Sequence, residues 1–462
     1  MNDMKSKSII FPGCLLGVLL VGWLVSNLIA PLSVEHGENV AFAKYMAQGL
    51  MPYQEFSMPE TPVAIGILSG LFRMVGIEAS SYWGSGLLVL VHLLNGWLLW
   101  KLMFRMTVKK TFALFGLSIY LLLVYSSDGL MLNLEPFAVS FLLGTCLLIL
   151  QRGTKSLVAA SLCYALAVGC KAQAMAFLPV LTVMVLWRGS KNTLRLEKGM
   201  LFVAMTLVLI AIGYMSVSFA SQNAAWTDGL FPMQKPDQFH TWKHVLYSKF
   251  AYVVIQGGRC SLFFLLALPW TWKRLSIHGK HCVYWAILAL GCYFSLFYFE
   301  VKVSHGMFIY PFVVLALVHI LQSLTNKYAV IALGTAVFFT PFLLSFREFQ
   351  KMDMGKIKAD QQEEIMILKE IIPKPGTAFI QIGDYEDRLL KALILAEFPL
   401  TKPLKPIQEI REANYIILTE KGFTKLSNSN DFDIFIECIS EMKSYGTSNY
   451  MVFVREGISQ KL

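Results

Sequence analysis

The chain has 462 residues, of which 56% are hydrophobic and only 15% charged, against about 25% charged residues in an ordinary soluble domain. That composition, with a mean hydropathy of +0.56, excludes a soluble globular enzyme and places the chain in a membrane. The net charge of +10 does not call for nucleic acid: residues 347–462 hold 16 Lys/Arg and 18 Asp/Glu, a net −2, which leaves +12 on residues 1–346. There the short cytoplasmic loops of a membrane protein collect Lys and Arg.

A spanning helix needs about 20 apolar residues, with a range of about 17–25. The first candidate, 9–30, follows a basic start at Lys5 and Lys7. It is too long, and too poor in a small-residue cleavage site, for a removed signal peptide, so it is read as a retained span. A polar outer segment, 31–81, comes next. Inside it, Val40, Ala43, Met46, Ala47 and Leu50 share a helix face, and 62–76 is an apolar stretch too short to cross. The stretch 62–76 is therefore read as an interfacial or half-inserted helix. Further candidate spans are 82–104, 111–126, 130–150, 157–171, 173–187, 199–220, 256–272, 282–299, 306–322 and 328–346. Basic residues mark every second boundary: Lys101 to Lys110, Arg152 and Lys155, Arg188 to Lys198, Lys273 to Lys280, and Lys327. That alternation predicts a mainly α, polytopic protein with about 11 transmembrane helices and the N-terminus inside.

An odd number of spans puts 347–462 outside, together with 31–81 and the long loop 221–255. The tail reads as a small α/β domain. Lys356 to Ile371 has helical spacing, and "YEDRLLKALILAEF" is helical. "TAFIQIG" and "NYIILTE" are strand-like, and "FDIFIECISEMKSYGTSNYMVFVR" suggests two final strands with a polar hairpin. The expected organisation is a membrane domain, 1–346, and an outer domain, 347–462. Seven of the eight cysteines lie in or beside apolar runs, and no CxxC or Cys/His ligand spacing occurs. A disulfide framework and a structural zinc site are not expected.

Ionisable groups at a membrane edge are expensive and are functional candidates by default. Glu35 stands at the start of the first outer helix, where the helix dipole favours an acid. It can also serve there as a general base or bind a divalent ion. Glu38, three residues on, is read as a solvated helix position. His36, Tyr53, Glu55 and Glu60 belong to the same outer segment. Lys171 lies between two apolar runs on the outer side. Lysines that merely snorkel favour the inner side, so phosphate binding is the better reading for Lys171. "YFEVKVSHGMFIYP" places Lys302, His305 and Tyr310 at an outer edge, and Arg259 in "QGGRCS" adds another cation. Carboxylates from the first loop facing cations from later loops suit a reaction with an anionic leaving group, such as a lipid phosphate.

"EHGENVAFAKYMAQGLMPYQEFSMPETP" resembles the first outer loop of the GT-C glycosyltransferases that use polyprenyl-phosphate sugars. That group includes the protein O-mannosyltransferases and the lipid A aminoarabinose transferases. Where the family has an Asp-Glu pair, this chain has Glu35 and His36; Ala43, Gly49, Pro52, Tyr53, Glu55, Phe56, Pro59 and Pro62 follow in step. Glu135-Pro136 is similar to the family's entry to a middle span, Lys171 to its Gly-x-x-x-Lys turn, and His305, Tyr310 and Pro311 to its late His-Tyr-Pro segment.

The resemblance implies an inverting single displacement on the outer face of a bacterial inner membrane. Glu35 is the implied base. Lys171, with Lys302, His305 or Arg259, stabilises the departing polyprenyl phosphate. His36, Tyr53, Glu55, Glu60 and Tyr310 are implied to bind substrate. The implied partners are the lipid-linked sugar donor, a glycan, lipid or protein acceptor, and membrane lipids; no nucleic acid is implied. The resemblance assigns no definite cofactor besides the polyprenyl-phosphate sugar as donor substrate, and a divalent metal is compatible with the acidic start of the first loop. The alternative reading is a transporter or flippase, or a non-catalytic binder, of a lipid-linked saccharide. A transporter predicts related halves and broken helices at mid-membrane, whereas here the ionisable groups gather on one face.

Overall fold

A computed structural model describes the chain over 13–22, 34–52, 61–76, 80–125, 132–151, 153–188, 192–221, 267–295, 303–324 and short stretches of the tail between 363 and 455. Tyr53, Glu55, Glu60, Arg259 and Lys302 lie outside the described residues. So do most of Lys356 to Ile371, all of "YEDRLLKALILAEF", and most of the candidate spans 256–272 and 328–346.

The described membrane part is a stack of helices: α1 (Gly13–Gly22), α2 (Val34–Ala47), α3 (Pro62–Val75), α4 (Ser80–Arg105), α5 (Lys110–Tyr125), α6 (Glu135–Ile149), α7 (Thr154–Cys170), α8 (Leu178–Arg188), α9 (Asn192–Ser221), α10 (Ile277–Ser295) and α11 (Tyr310–Ser323). Two 3-10 segments, Ala172–Phe177 and Val303–Phe308, precede α8 and α11. Among the described residues, two helices have stretches long and apolar enough to cross a membrane unaided, Trp83–Arg105 of α4 and Leu196–Ser216 of α9; α1, α3, α5, α6, α7, α8 and α11 are shorter apolar helices. Most expected spans in the described residues appear as helices at the expected places. The expected span 130–150 becomes helical only at Glu135.

Local chemistry explains where the site-bearing helices start and stop. Thr61 holds an extended backbone before Pro62, which opens α3 at a position where the missing N–H costs nothing. Gly76, with φ 93°, ends it in a conformation that a side chain resists. The buried face of α3 is Ala64, Ile65, Leu68 and Phe72, while Ile67 and Met74 are exposed. Arg73 donates to Met46 O at 2.6 Å and to Ala47 O at 3.3 Å, which caps the end of α2 and ties the two helices together. α6 opens with Glu135 and Pro136. An acid in the first turn and a proline without an N–H are both favoured there.

α2 is more deeply packed than a surface helix. Val40, Ala41 and Ala43 are fully buried, and the polar His36, Asn39 and Lys44 are buried with them. Glu38 is half-buried rather than solvated.

In the tail, β1 (Ala378–Gln381), β2 (Tyr415–Thr419), β3 (Met442–Gly446) and β4 (Tyr450–Arg455) form one sheet in the order β1-β2-β4-β3. β1 and β2 are parallel, and the β3–β4 hairpin closes the sheet antiparallel. The two expected strands and the polar hairpin are present. Phe432–Ile439, however, is a helix, α12, and not strand. Strand alternation would line up Phe432, Ile434, Ile436 and Cys438 on one apolar face. The helical period brings Phe435, Cys438 and Ile439 together against Phe453 and leaves Ile436 and Glu437 outside.

Candidate active site

Lys171 ends α7 in an extended conformation, φ −154° and ψ 116°, before the 3-10 turn. Its N–H still bonds Ala167 O at 3.1 Å. Tyr164, buried on α7, donates its hydroxyl to Ala174 O at 2.8 Å. The turn is thereby tied back onto the helix that precedes it, and Lys171 is held in place on both sides. Phe177, at the end of the turn, packs on Phe308 and lies parallel to Phe312, with centroids 5.5 and 6.5 Å away. The Lys171 turn and the Val303–Phe308 turn are thus joined through one aromatic contact.

α6 and α7 pack side by side, and the start of one meets the end of the other. Lys171 Nζ lies 3.6 Å from Glu135 Oε1, with the side chains only 5% and 2% exposed. The cation sits at the carbonyl end of α7 and the carboxylate at the amide end of α6, so each charge complements its own helix dipole as well as its partner. A buried pair of this kind is kept only when both charges are present.

α2 docks on the segment that leads into α6. Asn39 Nδ2 donates to Leu132 O at 2.7 Å, and the Leu132 N–H donates to His36 Nδ1 at 3.3 Å. Two side chains one helical turn apart thus take up both backbone groups of one residue. For Nδ1 to accept, the imidazole must be neutral, and burial pushes its pKa down in the same direction, from 6.5 to about 4. His36 therefore does not supply a positive charge near neutral pH. It is read better as a clamp on Leu132 than as a substitute for an acid.

Glu35 occupies the first turn of α2, directly before His36. The clamp carries that turn to Leu132, three residues before Glu135. The structure thus brings together the segments bearing Glu35, His36, Glu135 and Lys171. His305 lies on the Val303–Phe308 turn, which joins the Lys171 turn through Phe177. Tyr310 is buried, and its ring packs so closely on Gly306 that a Cβ there would lie 2.7 Å from the hydroxyl. Its hydroxyl shapes the turn that carries His305.

Sequence reasoning named Glu135 only as a point of resemblance and gave it no role. Its signal was present: an acid directly before a proline, at the mouth of an apolar helix. Asn39 and Asn95, both buried, were passed over. Among the described residues, no group of three or more His, Cys, Asp or Glu is placed to hold a metal ion. A cavity of about 310 Å³ between α1, α4 and α5 contains none of the expected site residues; it is apolar apart from His92 and Tyr120.

No protein-family model and no curated protein sequence matches the chain. Solved structures do. ArnT from Cupriavidus metallidurans bound to undecaprenyl phosphate aligns with a TM-score of 0.64 at 13% identity, over 96% of this chain and 98% of that one. The same protein in the apo state gives 0.62 at 13% identity, over 95% and 97%. The apo oligosaccharyltransferase of Archaeoglobus fulgidus gives 0.52 at 8% identity, over 97% of this chain and 74% of that one. The chain has the GT-C fold of these integral membrane proteins.

Proposed function

We propose that the protein is a membrane glycosyltransferase. It moves a sugar from a polyprenyl-phosphate-linked donor to a hydroxyl of a glycan, lipid or protein acceptor on the outer face of a bacterial inner membrane. The observation that carries this reading is the buried Lys171–Glu135 pair, set in a GT-C fold beside the docked first turn of α2. A buried cation at a membrane edge suits a phosphate that must leave as an anion.

The chemistry is a single displacement with inversion. The acceptor oxygen forms a bond to the anomeric carbon while the bond from that carbon to the phosphate oxygen breaks. The acceptor proton passes to the Glu35 carboxylate, and the electron pair of the broken bond leaves on the polyprenyl phosphate. Lys171 stabilises that charge, aided by Arg259, Lys302 or His305. Glu135 holds Lys171 in position until the phosphate competes for it. Tyr53, Glu55 and Glu60 form the acceptor rim of the first outer loop. About 11 spans, with 1–346 as the membrane domain and 347–462 as an outer cap, complete the reading.

The test is a mass-spectrometric comparison of cell-envelope glycans from cells with the protein, without it, and with Glu35→Gln or Lys171→Ala in its place. The reading expects one sugar to be missing in all three altered strains. Identical glycans in every strain would overturn it.

A further inference from the structure

The entry to α6 is gripped from two sides, and only one grip, the α2 clamp on Leu132, belongs to the outer segment. The other comes from inside the helix stack. Asn95, fully buried on α4, donates through Nδ2 to Pro136 O at 2.9 Å. Ser140 Oγ, one turn into α6, lies 2.6 Å from Asn95 Oδ1 and 3.1 Å from the same Pro136 carbonyl. Tyr120 of α5 brings its phenol beside the Asn95 side chain. One amide thus joins three helices at the residue that follows Glu135.

We infer that Asn95 is a positioning residue for the buried Lys171–Glu135 pair. A primary amide between apolar helices is costly unless bonded, and here its donor is used on the first turn of α6 and its acceptor one turn further on. The first-turn N–H groups of α6 have no intrahelical acceptor, so side-chain bonds from neighbouring helices hold this turn's orientation. The Asn95 bond fixes the azimuth of that turn, and so the direction in which Glu135 leaves the helix. Leu132 is held by α2 and Pro136 by α4, which leaves the carboxylate between two fixed points. The functional weight of this inference rests on the proposal that the pair belongs to the transfer site. The geometry can be tested without it.

The test uses the full-length protein in detergent micelles and needs no donor, acceptor or activity. Brief acetylation with an amine-reactive ester is followed by peptide mass spectrometry. Lys171 is the reporter and Lys44, equally buried on α2, is the internal reference. Loss of the Asn95 hydrogen bonds in Asn95→Ala is expected to raise Lys171 labelling on the order of tenfold with Lys44 unchanged. Asn95→Asp, which keeps the shape but loses the donor to Pro136 O, is expected to follow Asn95→Ala. Ser140→Ala, which spares Asn95 itself, gives a smaller rise at Lys171 alone and serves where the Asn95 variants fail to fold. A general structural role would raise Lys171 and Lys44 together. That result, or unchanged Lys171 labelling in variants that fold, overturns the inference.

Discussion

Deleting the Lys171 ammonium removes the opposite charge 3.6 Å from the Glu135 carboxylate, which is 2% exposed. Breaking one side of such a pair costs about 3–5 kcal/mol, while replacing both sides by neutral groups of similar size is far milder. Thermal melts of purified protein are therefore expected to show a large loss in Lys171→Met and most of it recovered in Lys171→Met with Glu135→Gln. Transfer activity stays lost in both. His36 gives a second residue-scale expectation. Its folded pKa of about 4 lies below the ordinary 6.5, so the unfolded chain binds the proton more readily between those values. Stability from this residue is complete above about pH 6.5 and is lost as pH falls through about 4. Melts between pH 7 and pH 4 check the slope. His36→Asn, which can still accept from the Leu132 N–H, is expected to flatten it. At this scale the sequence was informative where charge was unusual for its place. Lys171 stood out because it interrupts an apolar run on the side the charge alternation marks as outer. Asn95 did not, because one amide in a long apolar helix looks the same whether it holds a neighbour or not; only its distance to Pro136 separates the two.

The helices that carry the site meet at points too tight for side chains. A Cβ on Gly169 would lie 2.6 Å from Val63 Cγ2, where α3 crosses the end of α7 two residues before Lys171. Gly169→Ala is expected to push these helices apart and cost about 1–3 kcal/mol as an overpacked contact. Gly213→Ala on α9, with open space around it, is expected to be neutral or slightly stabilising. Paired melts test the contrast. Element positions were largely legible from apolar runs and their breakers: Pro62 and Gly76 bracket α3, and Pro136 opens α6. What failed was a short segment whose residues satisfy two periods at once. "FDIFIECI" alternates like a strand, yet it packs as α12, with Phe435, Cys438 and Ile439 against the sheet and Ile436 and Glu437 exposed.

At the scale of the whole molecule, the alternation of Lys and Arg along the loops sets the proposed orientation. Alkaline phosphatase fused after residue 462 is expected to be active, and the same reporter placed near Lys191 inactive; the reverse pattern would invert the proposed topology. The fold class was legible because hydropathy needs no partner to be read. The joining of α2 to the α6 entry was not, since it depends on contacts between residues 93 and 96 positions apart. The central claim is that the chain transfers a sugar from a lipid phosphate through Glu35 and Lys171. The direct measurement is release of free undecaprenyl phosphate from undecaprenyl-phosphate sugars by the purified protein given a cell-envelope acceptor extract. The account predicts release by the wild type, and a fall on the order of 10²–10⁴ in Glu35→Gln with a comparable fall in Lys171→Ala. Release by Glu35→Gln and Lys171→Ala at the wild-type rate would contradict it, as would no release by the wild type from any donor.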